Sequence, residues 1–384
     1  MSKRIPWESF TDSARLITLE ILRDGPLSRT ELAARTGLSS ASLSRITNPL
    51  IKAKVLLEVP NCEPTPTGGR PLEPLDVDAS LEHFVGIKLT GEAAFAVLTD
   101  LRTQPLRTAT TEIHSHEPAS VLKQMADLVA DLAQDLAVRA VGLGLGGAVD
   151  NYTAIRSAYF LDWHDVDLKA IAKPLLEMPV VATNDIESLL EAENWFGAGR
   201  EIGSFAVITT GSGVGGGLVL NNRLVTSPDA GLGLIGHQPI DPTGGPQCER
   251  SHRGCASAYL RCESISNQTS QRLGRPVTYD QALDLAAAGD PEARAVVDQA
   301  GYAYGMLIAA VANIALPQRV ILTGEGWRLA QVAAPALAEG LRYARNPLAA
   351  EVPLQILPDD PLIWARGAAA VAIQQSINEL GLAD

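Results

Sequence analysis

The sequence predicts an α/β chain that begins with a winged helix-turn-helix and continues as two related α/β lobes around a cleft. Two observations carry this reading. The first 75 residues hold three short amphipathic segments with helix-capping signals, then a turn-rich pair of extended segments. From about Leu81 the pattern changes to strands alternating with helices, and that block occurs twice. At 384 residues the chain is also too long for one ordinary core.

In the first segment Leu16, Ile17, Leu19, Ile21 and Leu22 fall mostly on one helical face, and Gly25-Pro26 ends the helix. Ser28, with Glu31 three residues later, forms a capping box for a second helix that stops at Gly37. Ser39 or Ser40 caps a third helix, in which Leu43, Ile46 and Leu50 recur at spacings of three and four. Pro49 removes a backbone donor and predicts a kink or an end near Asn48. Two helices about a glycine turn form a helix-turn-helix.

VLLEV and PLEPLDVD then flank a turn-rich stretch and read as a wing with Arg70 at its tip. The third helix presents Ser40, Ser42, Ser44 and Arg45 on its polar side. Short hydroxyls and a guanidinium reach phosphates and base edges in a major groove, and Arg70 reaches a phosphate or the minor groove. The same segment also fits a small helical module used only for dimerisation or docking.

Further on, HFVGIKL, AAFAVLTDL and PLRTATTEI read as a three-strand meander. An amphipathic helix from Glu117 follows, then the buried strand RAVGLGLGGAVD, the strand MPVVATND and the helix IESLLEAENWFGAG. A second block opens with SFAVITTGSGVGGGLVL, a strand, glycine turn and strand, and later brings the strand RVILTGEG and a helical C-terminus.

Composition limits the function classes. Hydrophobic residues make up 46% and charged residues 20%, as in soluble globular proteins. The start lacks an apolar secretory core, and the longest apolar runs, such as that around Met306 to Leu316, are short and interrupted. No membrane association is expected, and four cysteines are too few for a disulfide framework, which fits a reducing cytoplasm. The net charge of −13 is uneven: residues 1–75 hold ten Lys/Arg and eight Asp/Glu, and the remainder 21 and 36. Any polyanion would meet the N-terminal head rather than the acidic body.

The stretch GHQPIDPTGGPQCERSHRGC, from Gly236 to Cys255, gathers His237, Cys248, His252 and Cys255 on a Gly/Pro-rich loop. Four N/S donors there read as a structural zinc site, and an irregular spacing leaves open a plain loop with two free thiols.

Taken in order, the GGRP at the wing, the Asn184-Asp185 pair after a strand, the GSGVGGG turn, the Gly-His loop with cysteines and the ILTGEG strand are specific together. The chain resembles the ROK family of bacterial repressors, open reading frames and sugar kinases, and within it the regulators with an N-terminal helix-turn-helix. The resemblance runs from about Ser9 to Gln374. It implies actin-like (ribonuclease-H-like) lobes, a sugar site in the cleft, and a homodimer or homotetramer. The domains expected are a winged helix-turn-helix at 1–77, a first lobe at 78–196 completed by the C-terminal helix at about 365–384, and a second lobe at 197–364.

A sugar kinase needs a base beside the attacking hydroxyl and donors that hold nucleotide phosphates with magnesium. Asn184-Asp185 matches the family pair that binds the sugar and abstracts its proton, with Gly147 and His237 completing the implied sugar set. Asn184 also reads as a helix cap. The family's Asp-x-Gly-Gly-Thr turn is here Lys88 to Glu92: a lysine replaces the aspartate, one glycine is lost, and Glu92 puts a carboxylate where phosphates would sit. Leu234 and Ser257 replace two family glutamates that accept bonds from sugar hydroxyls.

At the metal loop, His237, Cys248 and Cys255 match three of the family's four ligand positions. The fourth is Arg250, and His252 is its nearest replacement; Cys262 belongs to the following helix.

The reading is therefore a cytoplasmic, DNA-binding transcriptional regulator that represses carbohydrate-metabolism genes and responds to a sugar or sugar derivative. It uses no ATP or magnesium, has no expected catalytic residue, and retains Asp185 only as the base position. The alternative is an ATP-dependent, glucokinase-like sugar kinase with an appended DNA-binding domain. A regulator controlled by a protein partner is a third reading.

Overall fold

The computed structural model describes residues 5–60, 73–227 and 229–378; Arg70 and the rest of the expected wing tip lie outside the described residues. The N-terminal helices are α1 (Asp12–Asp24), α2 (Arg29–Thr36) and α3 (Ser40–Lys52). Local chemistry sets their ends. Ser28 Oγ accepts from Glu31 N at 3.2 Å while Glu31 accepts from Ser28 N at 2.7 Å, closing the expected capping box. Gly37 ends α2 in the left-handed region at φ 69°. Ser39, rather than Ser40, caps α3, accepting from Ser42 N at 3.2 Å.

Two expectations fail here. Leu16 is exposed, and α1 buries Ala14, Ile17, Thr18, Ile21 and Leu22 instead. Of the kink or end expected at Pro49, the end does not occur: α3 runs through Pro49 to Lys52. Leu43, Thr47 and Leu50 are buried on one face spanning the proline, and that packing outweighs one missing backbone bond.

Two strands, β1 (Leu56–Glu58) and β2 (Leu75–Val77), pair antiparallel. A five-stranded sheet follows, built from β3 (His83–Leu89), β4 (Ala93–Asp100), β5 (Pro105–Glu112), β6 (Val138–Leu145) and, after an intervening small sheet, β10 (Val180–Asn184). The small sheet comprises β7 (Ala148–Asp150), β8 (Ala154–Ala158) and β9 (Trp163–Asp167), three short antiparallel strands not foreseen in the sequence. Helices α4 (Pro118–Ala133), α5 (Leu168–Ala172) and α6 (Asp185–Trp195) complete this stretch.

The next block has strands β11 (Phe205–Thr210), β12 (Val214–Leu220), β13 (Arg223–Leu224), β14 (Arg319–Thr323) and β15 (Leu354–Ile356). Its helices are α7 (Ala256–Leu260), α8 (Cys262–Leu273), α9 (Tyr279–Ala287), α10 (Pro291–Ala315), α11 (Arg328–Val332) and α12 (Ala334–Tyr343). Long and apolar α10 buries Val297, Tyr304, Leu307 and Ile308 as a core helix. The chain ends in α13 (Pro361–Asn378).

Both large sheets have the same wiring. Their orders are β10-β6-β3-β4-β5 and β13-β12-β11-β14-β15. In each, the first strand lies centrally, with an antiparallel meander on one side and two parallel strands on the other. The fold is thus α/β with N-terminal helices and two lobes. Residues 1–196 with 361–384 form one compact unit and residues 197–360 another.

Within the first unit the N-terminal segment shares a core with the lobe: Ile17, Ile21 and Leu75 cluster with Phe84, Ala140, Val181, Ile373 and Ile377. Polar contacts fix the docking. Buried Glu82 accepts from Ile5 N and Trp7 Nε1, each at 2.9 Å, with Arg139 at 3.6 Å. Arg102, in the β4–β5 turn, donates to the carbonyls of Ile21 and Gly25 at 3.1 Å and pairs with Asp76.

Glu82→Ala leaves the Trp7 indole and the Ile5 amide without this acceptor in a buried interface. It is expected to lower stability by about 3 kcal/mol, read as a shifted denaturation midpoint. An unmoved midpoint would show that this carboxylate does not hold the head to the lobe.

Candidate functional site

In the first unit three parallel strand ends place a polar cluster. Strands β6 and β10 run side by side, with Asn184 opposite Leu145, so the Gly146-Gly147 turn and the start of α6 lie together. Asn184 is buried and uses both ends of its amide: Nδ2 donates to Gly147 O and Oδ1 accepts from Ile186 N, each at 2.9 Å. It therefore caps α6, as expected, and also ties the glycine turn to the helix that carries Asp185.

From β3, on the other side of β6, Lys88 reaches across. Its ammonium pairs with Asp185 Oδ2, both side chains being largely buried. The same ammonium sits 4.3 Å from the centroid of the Trp364 ring on α13, within cation–π range. Asp185 is thus neutralised inside the protein. Glu92, expected where phosphates would sit, is exposed, and Thr90 Oγ1 accepts from the amides of Glu92 and Ala93 at this turn.

The glycine turn of the second unit is also occupied from within. Glu325 Oε2 accepts from Ser212 N at 2.8 Å and from Ser212 Oγ at 2.7 Å. Arg261 Nε donates to Ser212 O at 2.7 Å. The donors that a glycine turn offers to a phosphate here hold a carboxylate.

The metal-loop residues do converge. One donor atom from each of His237, Cys248, His252 and Cys255 lies within 4.8 Å of every other. His237 Nδ1 is 3.8 Å from Cys248 Sγ and 3.9 Å from Cys255 Sγ. Those separations match donor pairs about a tetrahedral ion with bonds of about 2.0–2.3 Å. Burial holds the His237 imidazole below its usual pKa and pushes the Cys255 thiol up. A neutral ring is the form that ligates, and the thiol needs a cation to give up its proton. His237 Nε2 points the other way, with Glu249 at 3.9 Å. Cys262 opens α8 and lies outside the cluster. The Cys₂His₂ set is consistent with a zinc site.

On α3, Ser39, Ser40 and Arg45 are exposed, and Ser42 and Ser44 half-buried. The hydroxyls of Ser39 and Ser42 bond each other at 3.1 Å, so part of this set serves the cap. Several other charges in the head are paired: Arg23 with Glu20 and Asp24, Arg29 with Glu58, and Arg35 with Asp24.

Sequence reasoning missed Trp364 and Glu325, whose partners Lys88 and Ser212 are distant in the chain.

A model of the ROK family matches residues 84–352. The chain is 26% identical to the Xylose repressor of Bacillus spizizenii over 317 residues, 80% of each chain. It is 22% identical to the DNA-binding transcriptional repressor Mlc of Escherichia coli over 339 residues, 84% of this chain and 83% of that one. The crystal structure of a ROK family transcriptional regulator, a homolog of the E. coli MLC protein, superposes with a TM-score of 0.80 at 22% identity, over 96% of this chain and 98% of that one. That likeness is one of fold, and it takes in the N-terminal helices.

Removing Lys88 strands a largely buried carboxylate, so Lys88→Ala should cost about 3 kcal/mol. The double variant Lys88→Ala/Asp185→Ala should recover at least ~1 kcal/mol of the summed single losses. Strictly additive losses in denaturant titrations would mean that the pair is not coupled.

Proposed function

The chain belongs to the ROK family, and on that premise we propose that it is a DNA-binding transcriptional repressor of sugar-utilisation genes, relieved or engaged by a carbohydrate effector. The observation that carries the proposal is Lys88, whose ammonium holds Asp185, the family's base position, in an ion pair. A carboxylate so engaged is poorly placed to take a proton from a sugar hydroxyl. Glu325 on the second glycine turn acts in the same direction, since a nucleotide phosphate would have to displace a like charge. The repressor names of the relatives point the same way.

DNA contact is assigned to α3. Ser39 and Ser40 open the helix, Ser42 and Ser44 lie along it, and Arg45 is exposed on it, with Arg70 assigned to the wing. Two heads in a homodimer or homotetramer would read two half-sites of an operator. The effector is assigned to the Gly147, Asn184 and Asp185 cluster, where a sugar hydroxyl can meet a carboxylate and turn carbonyls.

His237, Cys248, His252 and Cys255 are assigned to zinc. Zinc bound there would supply a structural cross-link for the loop, and His237 would ligate through Nδ1 and keep Nε2 for hydrogen bonding.

Arg45→Ala should weaken binding to the protein's own upstream DNA by about tenfold, in gel shifts at physiological salt. Unchanged affinity would remove α3 from the interface. The kinase alternative is met by a coupled ADP-release assay over common hexoses, where turnover lost in Asp185→Asn would overturn the non-enzymatic reading. For the metal, purified protein should carry close to one equivalent of zinc, Cys255→Ala should lose it, and a chelator should lower Tm. Less than about a tenth of an equivalent, with Tm unmoved by chelator, would retire the site.

A further inference from the structure

The imidazole of His237 faces two ways. Its Nδ1 lies 3.8 Å from Cys248 Sγ and 3.9 Å from Cys255 Sγ, while its Nε2 lies 3.9 Å from Glu249 Oε1. A ring that ligates through Nδ1 needs its lone pair there and its proton on Nε2. A carboxylate beside Nε2 favours that tautomer, because the positive end of the N–H dipole then faces the negative charge. Glu249 is not needed as a ligand itself, since His237, Cys248, His252 and Cys255 already offer four donors.

Glu249 is in turn held in place. Its other oxygen, Oε2, accepts from Arg261 Nη1 at 3.1 Å. Arg261 is largely buried and spends its guanidinium on three separate segments. Besides Glu249, Nη2 donates to Glu263 Oε2 and Nε donates to Ser212 O, each at 2.7 Å. A planar fork with fixed donor directions holds such partners in one geometry. Next to it Cys262 N donates to Gly211 O at 2.9 Å, so the start of α8 is bonded to the glycine turn by backbone as well.

A second connection runs through α7. Cys255 immediately precedes this helix and Arg261 immediately follows it, and all five residues between them are buried. A metal-facing thiol and the guanidinium that holds Ser212 therefore sit at opposite ends of one short, enclosed helix. We infer that Glu249 is the positioning residue of the metal loop, orienting His237 for the ion, and that Arg261 passes the state of that loop to the Ser212 turn. The inference rests on the zinc reading above and adds to it the residue that orients a ligand and the segment that responds.

Zinc competition against a chromogenic chelator, on the full chain, tests the first link. Glu249→Gln keeps the shape of the side chain and removes its charge. It should bind zinc about 10–100-fold more weakly than the parent, with an unchanged metal-free Tm. Saturating cobalt(II) should give both proteins the same tetrahedral absorption bands, because all four ligands remain. Parent-like zinc affinity in Glu249→Gln would overturn the positioning role. So would a lowered metal-free Tm, which marks a merely structural residue, or loss of the tetrahedral bands, which marks a ligand. Hydrogen exchange tests the second link: zinc should slow the amides of residues 205–220 in the parent, and Arg261→Gln at saturating zinc should abolish that difference. Exchange untouched by zinc in the parent, or slowed equally in Arg261→Gln, would overturn the relay. A parent that binds no zinc would overturn the zinc reading and this inference together.

Discussion

The close seating of α13 on the first sheet is the constraint on which the first unit depends. A Cβ on Gly86 would lie 1.9 Å from Ala365 O, and one on Gly142 1.9 Å from Ala368 O. Backbone meets backbone there, on adjacent strands β3 and β6, and no larger residue fits without driving the helix off the sheet. The helix side is matched. Its run of small residues, Ala368, Ala369, Ala370 and Ala372, is buried all round, as expected of a helix enclosed on every face.

That seating makes one rigid element serve two places. Near its start α13 puts Trp364 under the Lys88 ammonium. Near its end Ile373 and Ile377 enter the core shared with α1. Thirteen residues of helix separate Trp364 from Ile377, a span of about 20 Å. An event at the Lys88–Asp185 pair that tilted Trp364 would act on the helix that also carries Ile373 and Ile377 in the core shared with α1. Coupling free energies of about 1–3 kcal/mol suffice for regulation, and that is the scale of one altered contact in a well-packed core. Glu82 and Arg102 matter in the same frame, since they make the head follow the lobe rather than swing on a tether.

What the sequence revealed follows the range of each interaction. Ser28 with Glu31, Ser39 with Ser42 and Asn184 with Ile186 are contacts within three residues, and each was legible as a cap. The alternation of strand and helix exposed the doubled α/β block for the same reason. Contacts between distant positions were not legible: Lys88 and Asp185 are 97 residues apart, and Ser212 and Glu325 are 113. Lys88 could be seen to break a motif, but not to have found a partner. Pro49 misled because its local rule was outweighed by the burial of Leu50, a tertiary effect. The His237 loop lies between these cases. Its donors are near in sequence, and folding brings His252, the replacement the sequence offers for Arg250, within 4.8 Å of the other three.

The two long-range pairs share a logic that bears on how a kinase-like fold becomes a sensor. A phosphoryl-transfer site keeps an unpaired carboxylate for a metal or a proton and a bare glycine turn for phosphate, and it relies on its ligands to satisfy them. In the empty state those groups face water or one another at a cost. Here each is answered from within the chain, the carboxylate by Lys88 and the turn by Glu325. The Asp185 carboxylate and the Ser212 donors thus find partners within the chain at rest. Completeness at rest suits a regulator, because a ligand that meets an already satisfied site acts only through its differential affinity for two states. In a transferase the same internal pairing would tax every turnover with the breaking of an ion pair.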